Sequence, residues 1–205
     1  MKPLLSLALI LGLVLLAPVE ASAQAAQRIA IVDLKKLFDE YFKTRIADAQ
    51  LKEEATDLDK QRRGIADDYQ KAAEDYKKAL EDANNQAISA EEREKRKKAA
   101  EGSLVKANEI EQALKSFDRS ARGNLEEKQR LAREKILKDI QNAVAGKARA
   151  GGYNLVLDTA AEGINRTPVL FYHDGKDDLT AAVLAQLNAN APADLPKSDR
   201  KDEKK

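Results

Sequence analysis

Apolar side chains change their spacing several times along this chain, and each change marks a structural element. Arg28-Ile29-Ala30-Ile31-Val32-Asp33 is a run of β-branched and small residues closed by an acid. That pattern predicts a short buried strand leading into a helix capped by Asp33. From Leu34 the spacing becomes three and four, with Leu34, Leu37, Phe38 and Tyr41 on one helical face. No proline occurs from Gln50 to Ala87, where Leu51, Ala55, Leu58, Ile65, Tyr69, Ala72, Tyr76, Leu80, Ala83 and Ala87 continue the stripe with Arg62 in one slot. A period near 3.5 predicts a coiled-coil seam, and its many alanines make that seam a weak one. Ser89 with Glu92 three residues later is a capping-box signature that starts a new helix, so the chain turns back near 88–92.

The return helix is predicted over Ala90–Ala150, with Leu104, Ala107, Leu114, Phe117, Ala121, Leu125, Ala132, Ile136, Ile140 and Val144 on its inner face and Gly151-Gly152 as its stop. At 1.5 Å per residue the outgoing helix, Leu34 to Ala87, spans ~80 Å and the return helix ~90 Å. Matched arms of this kind form an antiparallel hairpin. Tyr153–Asp158 then reads as a strand and Pro168–Tyr172 as another, with Pro168 at a strand's first position. Asp178 is expected to cap a last amphipathic helix carrying Val183, Leu184 and Leu187. One strand before the hairpin and two after it must meet at its base.

The expected architecture is α+β: a long helical hairpin arm (45–150) on a small β platform (24–44 and 151–190), followed by a charged tail without fixed structure (191–205). A three-stranded sheet cannot bury both faces of Ile29, Ile31, Val32, Leu155, Val156, Leu157, Val169 and Phe171 by itself. The platform is therefore expected to pack against copies of itself.

Composition agrees with an elongated or oligomeric protein. Charged residues make up 35% of the chain, aromatics only 4%, and tryptophan is absent, too little bulky apolar material for one ordinary core. The chain opens with Met1-Lys2, an apolar run from Leu4 to Ala17, and Ala21-Ser22-Ala23. This predicts a secretory signal peptide over 1–23, because the run is short for a membrane span and small residues precede the cleavage point. Cysteine is absent, so disulfides, zinc thiolates and a cysteine nucleophile are excluded. With 36 basic and 35 acidic residues the net charge is +1, which supplies no general attraction for nucleic acid or membrane.

Candidate chemistry is sparse. His173 is the only histidine, and in His173-Asp174-Gly175-Lys176 it reads as part of a polar turn rather than of a catalytic triad. Asp177-Asp178 is explained by helix capping, and Gly151-Gly152 lies between a helix and a strand, the reverse of a phosphate-binding loop. Asn165-Arg166-Thr167 matches a glycosylation sequon, a pattern short enough to arise by chance. No cofactor, metal or catalytic set is expected. Arg93, Lys95, Arg96, Lys97 and Lys98 form the densest basic cluster, placed at the arm tip. Its local field could draw anionic lipid headgroups or acidic polypeptide, although interleaved glutamates also suit a plain solvated face. Tyr69 and Tyr76, seven apart, share one helical face and serve either the seam or a bound polypeptide.

The order of these segments, Arg28-Ile-Ala-Ile-Val-Asp-Leu-Lys-Lys-Leu-Phe38, a long hairpin, Tyr153-Asn-Leu-Val-Leu-Asp158 and Asp178-Leu-Thr-Ala-Ala-Val-Leu184, resembles the Skp/OmpH family of periplasmic chaperones. The resemblance covers nearly all the chain beyond the signal peptide. It implies a jellyfish-like homotrimer whose platform strands form a central β core and whose arms enclose a cavity. It further implies ATP-independent binding of unfolded outer-membrane proteins in the periplasm of a Gram-negative-type bacterium. The near-neutral charge departs from the family's strongly basic pattern, and the long lysine-rich tail after Asn190 is extra to it. The rival reading from another class is a coiled-coil structural or adaptor protein of the cell envelope, which would want a tight, leucine-rich seam.

Overall fold

A computed structural model describes residues 27–196; the expected signal peptide and the last nine residues of the tail lie outside them. In chain order the elements are β1 (Ile29–Val32), α1 (Leu34–Glu40), α2 (Phe42–Ala83), α3 (Ala90–Ala150), β2 (Leu155–Asp158) and α4 (Thr180–Leu187). β1 and β2 pair in parallel, with Ile29 opposite Leu155 and Val32 opposite Asp158. Parallel pairing needs a long crossover. Here the crossover is the whole helical hairpin.

Local chemistry starts and stops the helices where the sequence signals it. Asp33 Oδ1 accepts the Lys36 N–H at 2.7 Å, capping α1, and Ser89 Oγ accepts the Glu92 N–H at 3.2 Å, capping α3. At the far end of α3, Gly152 takes φ +69°, and a Cβ on Gly151 would lie 2.5 Å from the Tyr153 ring. Glycine fits both demands.

The outgoing path differs from one continuous helix to Ala87 in two places. Tyr41 takes extended backbone angles (φ −69°, ψ 128°) and separates α1 from the 42-residue α2. α2 ends at Ala83, because Asn85 Oδ1 accepts the Ala87 N–H at 2.9 Å and the asparagine pair turns the chain before Ser89. Asp178 sits one position further from its helix than expected. Leu179 is the N-cap, and the Asp178 carboxylate accepts the Thr180 N–H at 2.8 Å.

The expected third strand is not formed. Pro168 makes one antiparallel bridge with Glu162, and the Val169 N–H donates to Ala161 O at 2.8 Å. Beyond that small loop, residues 170–174 run without strand structure. The outer edge of β1, where a further strand could pair, is taken instead by Asp178, which bridges to Ile31 in parallel. The intrachain sheet therefore has two strands.

The core lies where the platform meets the arm. Val32, Leu37, Tyr41, Ile136, Ile140, Ala143 and Val183 are buried together, drawn from β1, α1, α3 and α4. Phe38, Phe42, Val156, Leu184 and Leu187 pack around them. The arm's root is thus welded to the sheet by apolar burial, and the rest of the arm projects away from it.

Candidate functional site

The arm is held in register by ion pairs that cross between its helices. Lys43 meets Asp139 at 2.7 Å near the root, Lys128 meets Glu54 further out, and Arg62 meets Asp118 at 3.0 Å in the middle. All are at least partly exposed, so they select alignment more than they add stability. Between them, burial falls mostly on small side chains: Ala72, Ala83, Ala100 and Ala107 are the buried residues of the distal arm. Leu51, Leu58, Ile65, Leu114, Phe117 and Leu125 are only half-buried, while Leu80 and Leu104 are exposed. The seam is as weak as its alanines predict.

Tyr69 and Tyr76 are both half-buried on α2. The basic cluster divides. Arg93 is half-buried, with one guanidinium nitrogen 3.5 Å from Ile88 O, and Arg96 pairs with Glu92 at 3.1 Å. Lys95, Lys97 and Lys98 are exposed on the first turns of α3, beside the hairpin turn.

The platform residues also divide. Ile31 and Val32 are buried in the chain's own core, and Val156 and Leu157 are half-buried. Ile29 and its neighbour Leu155 are exposed side by side at the end of the sheet. Val169 is 65% exposed and Phe171 85% exposed. Ile164 and Tyr172, absent from the expected platform set, stand out as far: 101% and 81% exposed. The short apolar run Val169-Leu170-Phe171 reads as a strand, but Ile164 sits alone in a polar turn, where no periodicity announces it.

Below this segment the platform is tied by polar contacts. Arg28 donates to Gly151 O at 2.8 Å and lies 4.7 Å from the centre of the Tyr153 ring, whose hydroxyl donates to Asp177 at 2.5 Å. That bond, first among the causes, raises the Tyr153 pKa above its ordinary value. Asp158 accepts the Leu34 N–H at 3.0 Å and Thr180 Oγ1 accepts the Asp33 N–H at 2.9 Å, so β2 and α4 satisfy the free amides where α1 begins.

At the arm root the Lys43 ammonium holds the Asp139 carboxyl below its usual range, and Asp139 in turn raises the Lys43 pKa. Burial, the largest cause, pushes the Tyr41 phenol up, although its hydroxyl also reaches Asp139 at 3.3 Å. Of these the sequence marks only Tyr41, as part of an apolar helical face; Lys43 and Asp139 join it only when the helices pair. Among the described residues no group of three or more His, Cys, Asp or Glu side chains could hold a metal ion, and no helix is long and apolar enough to cross a membrane.

Residues 28–187, which take in every element above, match the profile of a family described as outer membrane protein (OmpH-like). This chain belongs to the Skp/OmpH-like chaperone family. It is 30% identical over 178 residues to the chaperone protein Skp of Yersinia enterocolitica, an alignment covering 86% of this chain and 94% of that protein. Its fold matches the crystal structure of an OmpH-like protein from Caulobacter crescentus with a TM-score of 0.62 at 16% identity, over 85% of this chain and 94% of the other. The family's helical arm on a small β base is the architecture found here, and membership carries a chaperone role.

Proposed function

We propose that this protein is an ATP-independent holdase of the periplasm, which takes up unfolded outer-membrane proteins between the arms of a homotrimer and keeps them from aggregating. The observation that carries this reading is the set of exposed apolar side chains on the platform, Ile164, Val169, Phe171 and Tyr172 after the sheet and Ile29 and Leu155 at its end. A monomer rarely leaves such a patch in water. Burying it against two further copies sets three arms around one space, with their roots fixed and their alanine seams free to splay. Such a cage acts by mass action, lowering the concentration of free unfolded chain without nucleotide.

Membership of the family supports the chaperone role, and the near-equal numbers of acidic and basic residues leave any electrostatic attraction for clients to local clusters. Lys95, Lys97 and Lys98, exposed at the tip, are the cationic groups placed to meet acidic client segments or anionic lipid headgroups. The deciding experiment dilutes a urea-denatured outer-membrane β-barrel protein into buffer containing an excess of the trimer. The barrel is expected to stay soluble without ATP. Aggregation as fast as in buffer alone would sink the holdase reading.

A further inference from the structure

The matched family region ends at residue 187, and the chain's next residue, Asn188, is placed at the break between α1 and α2. Its side-chain oxygen accepts the Phe42 N–H at 2.9 Å, and its side-chain amide donates to Glu40 O at 3.0 Å. Those two backbone groups are the ones a helix break leaves without partners, the first amide of α2 and the last carbonyl of α1. A donor on one side and an acceptor on the other leave a single orientation for the asparagine amide.

The chain then continues to a second contact on the same helix. Arg45 Nε and Nη2 both donate to Pro196 O, at 3.1 and 2.6 Å. The segment over 191–196, expected from its composition to lack fixed structure, thus returns to the first turn of α2, with Leu195 and Pro196 half-buried. The guanidinium fork gives this contact a charged donor and a fixed direction.

From these contacts we infer that residues 188–196 form a strap which sets the direction in which the arm leaves the platform. Asn188 closes the Tyr41 hinge on the platform side, while Arg45 and Pro196 hold the first turn of the arm against the strap. Tyr41, the one residue between α1 and α2, has extended angles, so its ψ sets the direction in which α2 leaves α1. The strap spans that pivot from Glu40 to Arg45. The inference concerns the arm's geometry and stands whether or not the client is an outer-membrane protein.

The chain has no cysteine, which allows spin labels to be placed at Lys71→Cys on α2 and Lys176→Cys on the platform, with labelled chains diluted into unlabelled ones. In the full-length parent one narrow distance distribution is expected. Arg45→Ala, and separately a stop after Leu195, should each broaden it and raise amide exchange over residues 42–46 about tenfold, the scale of one lost charge-assisted bond. Combined, the two changes should do no more than either alone, because they remove the same contact. Asn188→Ala should broaden the distribution further, since it frees the hinge itself. Distributions as narrow as the parent's, effects that add, or exchange that rises equally at Ala30–Val32 in the sheet would each overturn the strap.

Discussion

Asp139 gathers the polar contacts of the arm root: Lys43 at 2.7 Å from one side and the Tyr41 hydroxyl at 3.3 Å from another. Its pKa is lowered and that of Lys43 raised, chiefly by their mutual hydrogen bond. The pair therefore adds stability between about pH 4 and about pH 10, the ordinary values of the two groups. Acid removes that contribution as it protonates Asp139 below its depressed pKa, and base removes it as Lys43 loses its proton above its raised one. Because Lys43 remains 43% exposed, solvent screening limits the pair to about 0.5 kcal/mol. Asp139→Asn should lower the urea midpoint slightly at pH 7, and the difference from the parent should vanish near pH 2 in parallel titrations. The Asp33 and Ser89 caps could be read from the sequence, since each bonds an amide three residues away. The Asp139 cluster could not, for its members lie 96 and 98 residues apart.

The arm owes its form to its elements more than to any one contact. α3 begins and ends where the periodicity and the capping residues place it, Ala90 to Ala150, because both signals act within a few residues. α2 is shorter than its periodicity alone suggests, as the Asn84-Asn85 turn cuts the stripe before Ala87. Along these helices the ion pairs set alignment while buried alanines supply little apolar area, a design that yields to bending. Gly64 and Gly123 add to this. Both are exposed in helix interiors, and a Cβ at either would meet nothing within 4 Å. No close packing requires them, so Gly64→Ala and Gly123→Ala should each stabilise the arm by about 0.5–1 kcal/mol. Hydrogen exchange at amides on both sides of each position should slow, while exchange in the sheet stays unchanged.

At the scale of the whole molecule, the exposed base segment governs. Phe171 and Ile164 make little contact with their own chain's core, so replacing them tests assembly with little direct effect on the fold. In the proposed homotrimer, Ile164→Asp with Phe171→Asp should leave only monomer in sedimentation, with helical circular dichroism retained, because three charged pairs of side chains cannot enter one apolar interface. An oligomer that persists would place the subunit contact elsewhere. The same segment shows a limit of pattern reading. Pro168–Tyr172 is a short apolar run that reads as a strand, but in the folded chain it makes only the bridge of Pro168 with Glu162, while Asp178 takes the place beside Ile31.

Order along the chain was enough to establish the hairpin, the strand at each end of it, the weak seam and the family, because periodicity, caps and glycine stops work over one or two turns. The packed chain alone established the pivot at Tyr41, the division of the platform residues into a buried and an exposed set, and the return of the tail to Arg45. Each of these depends on groups far apart in sequence, 151 residues in the case of Arg45 and Pro196, whose meeting no local pattern encodes.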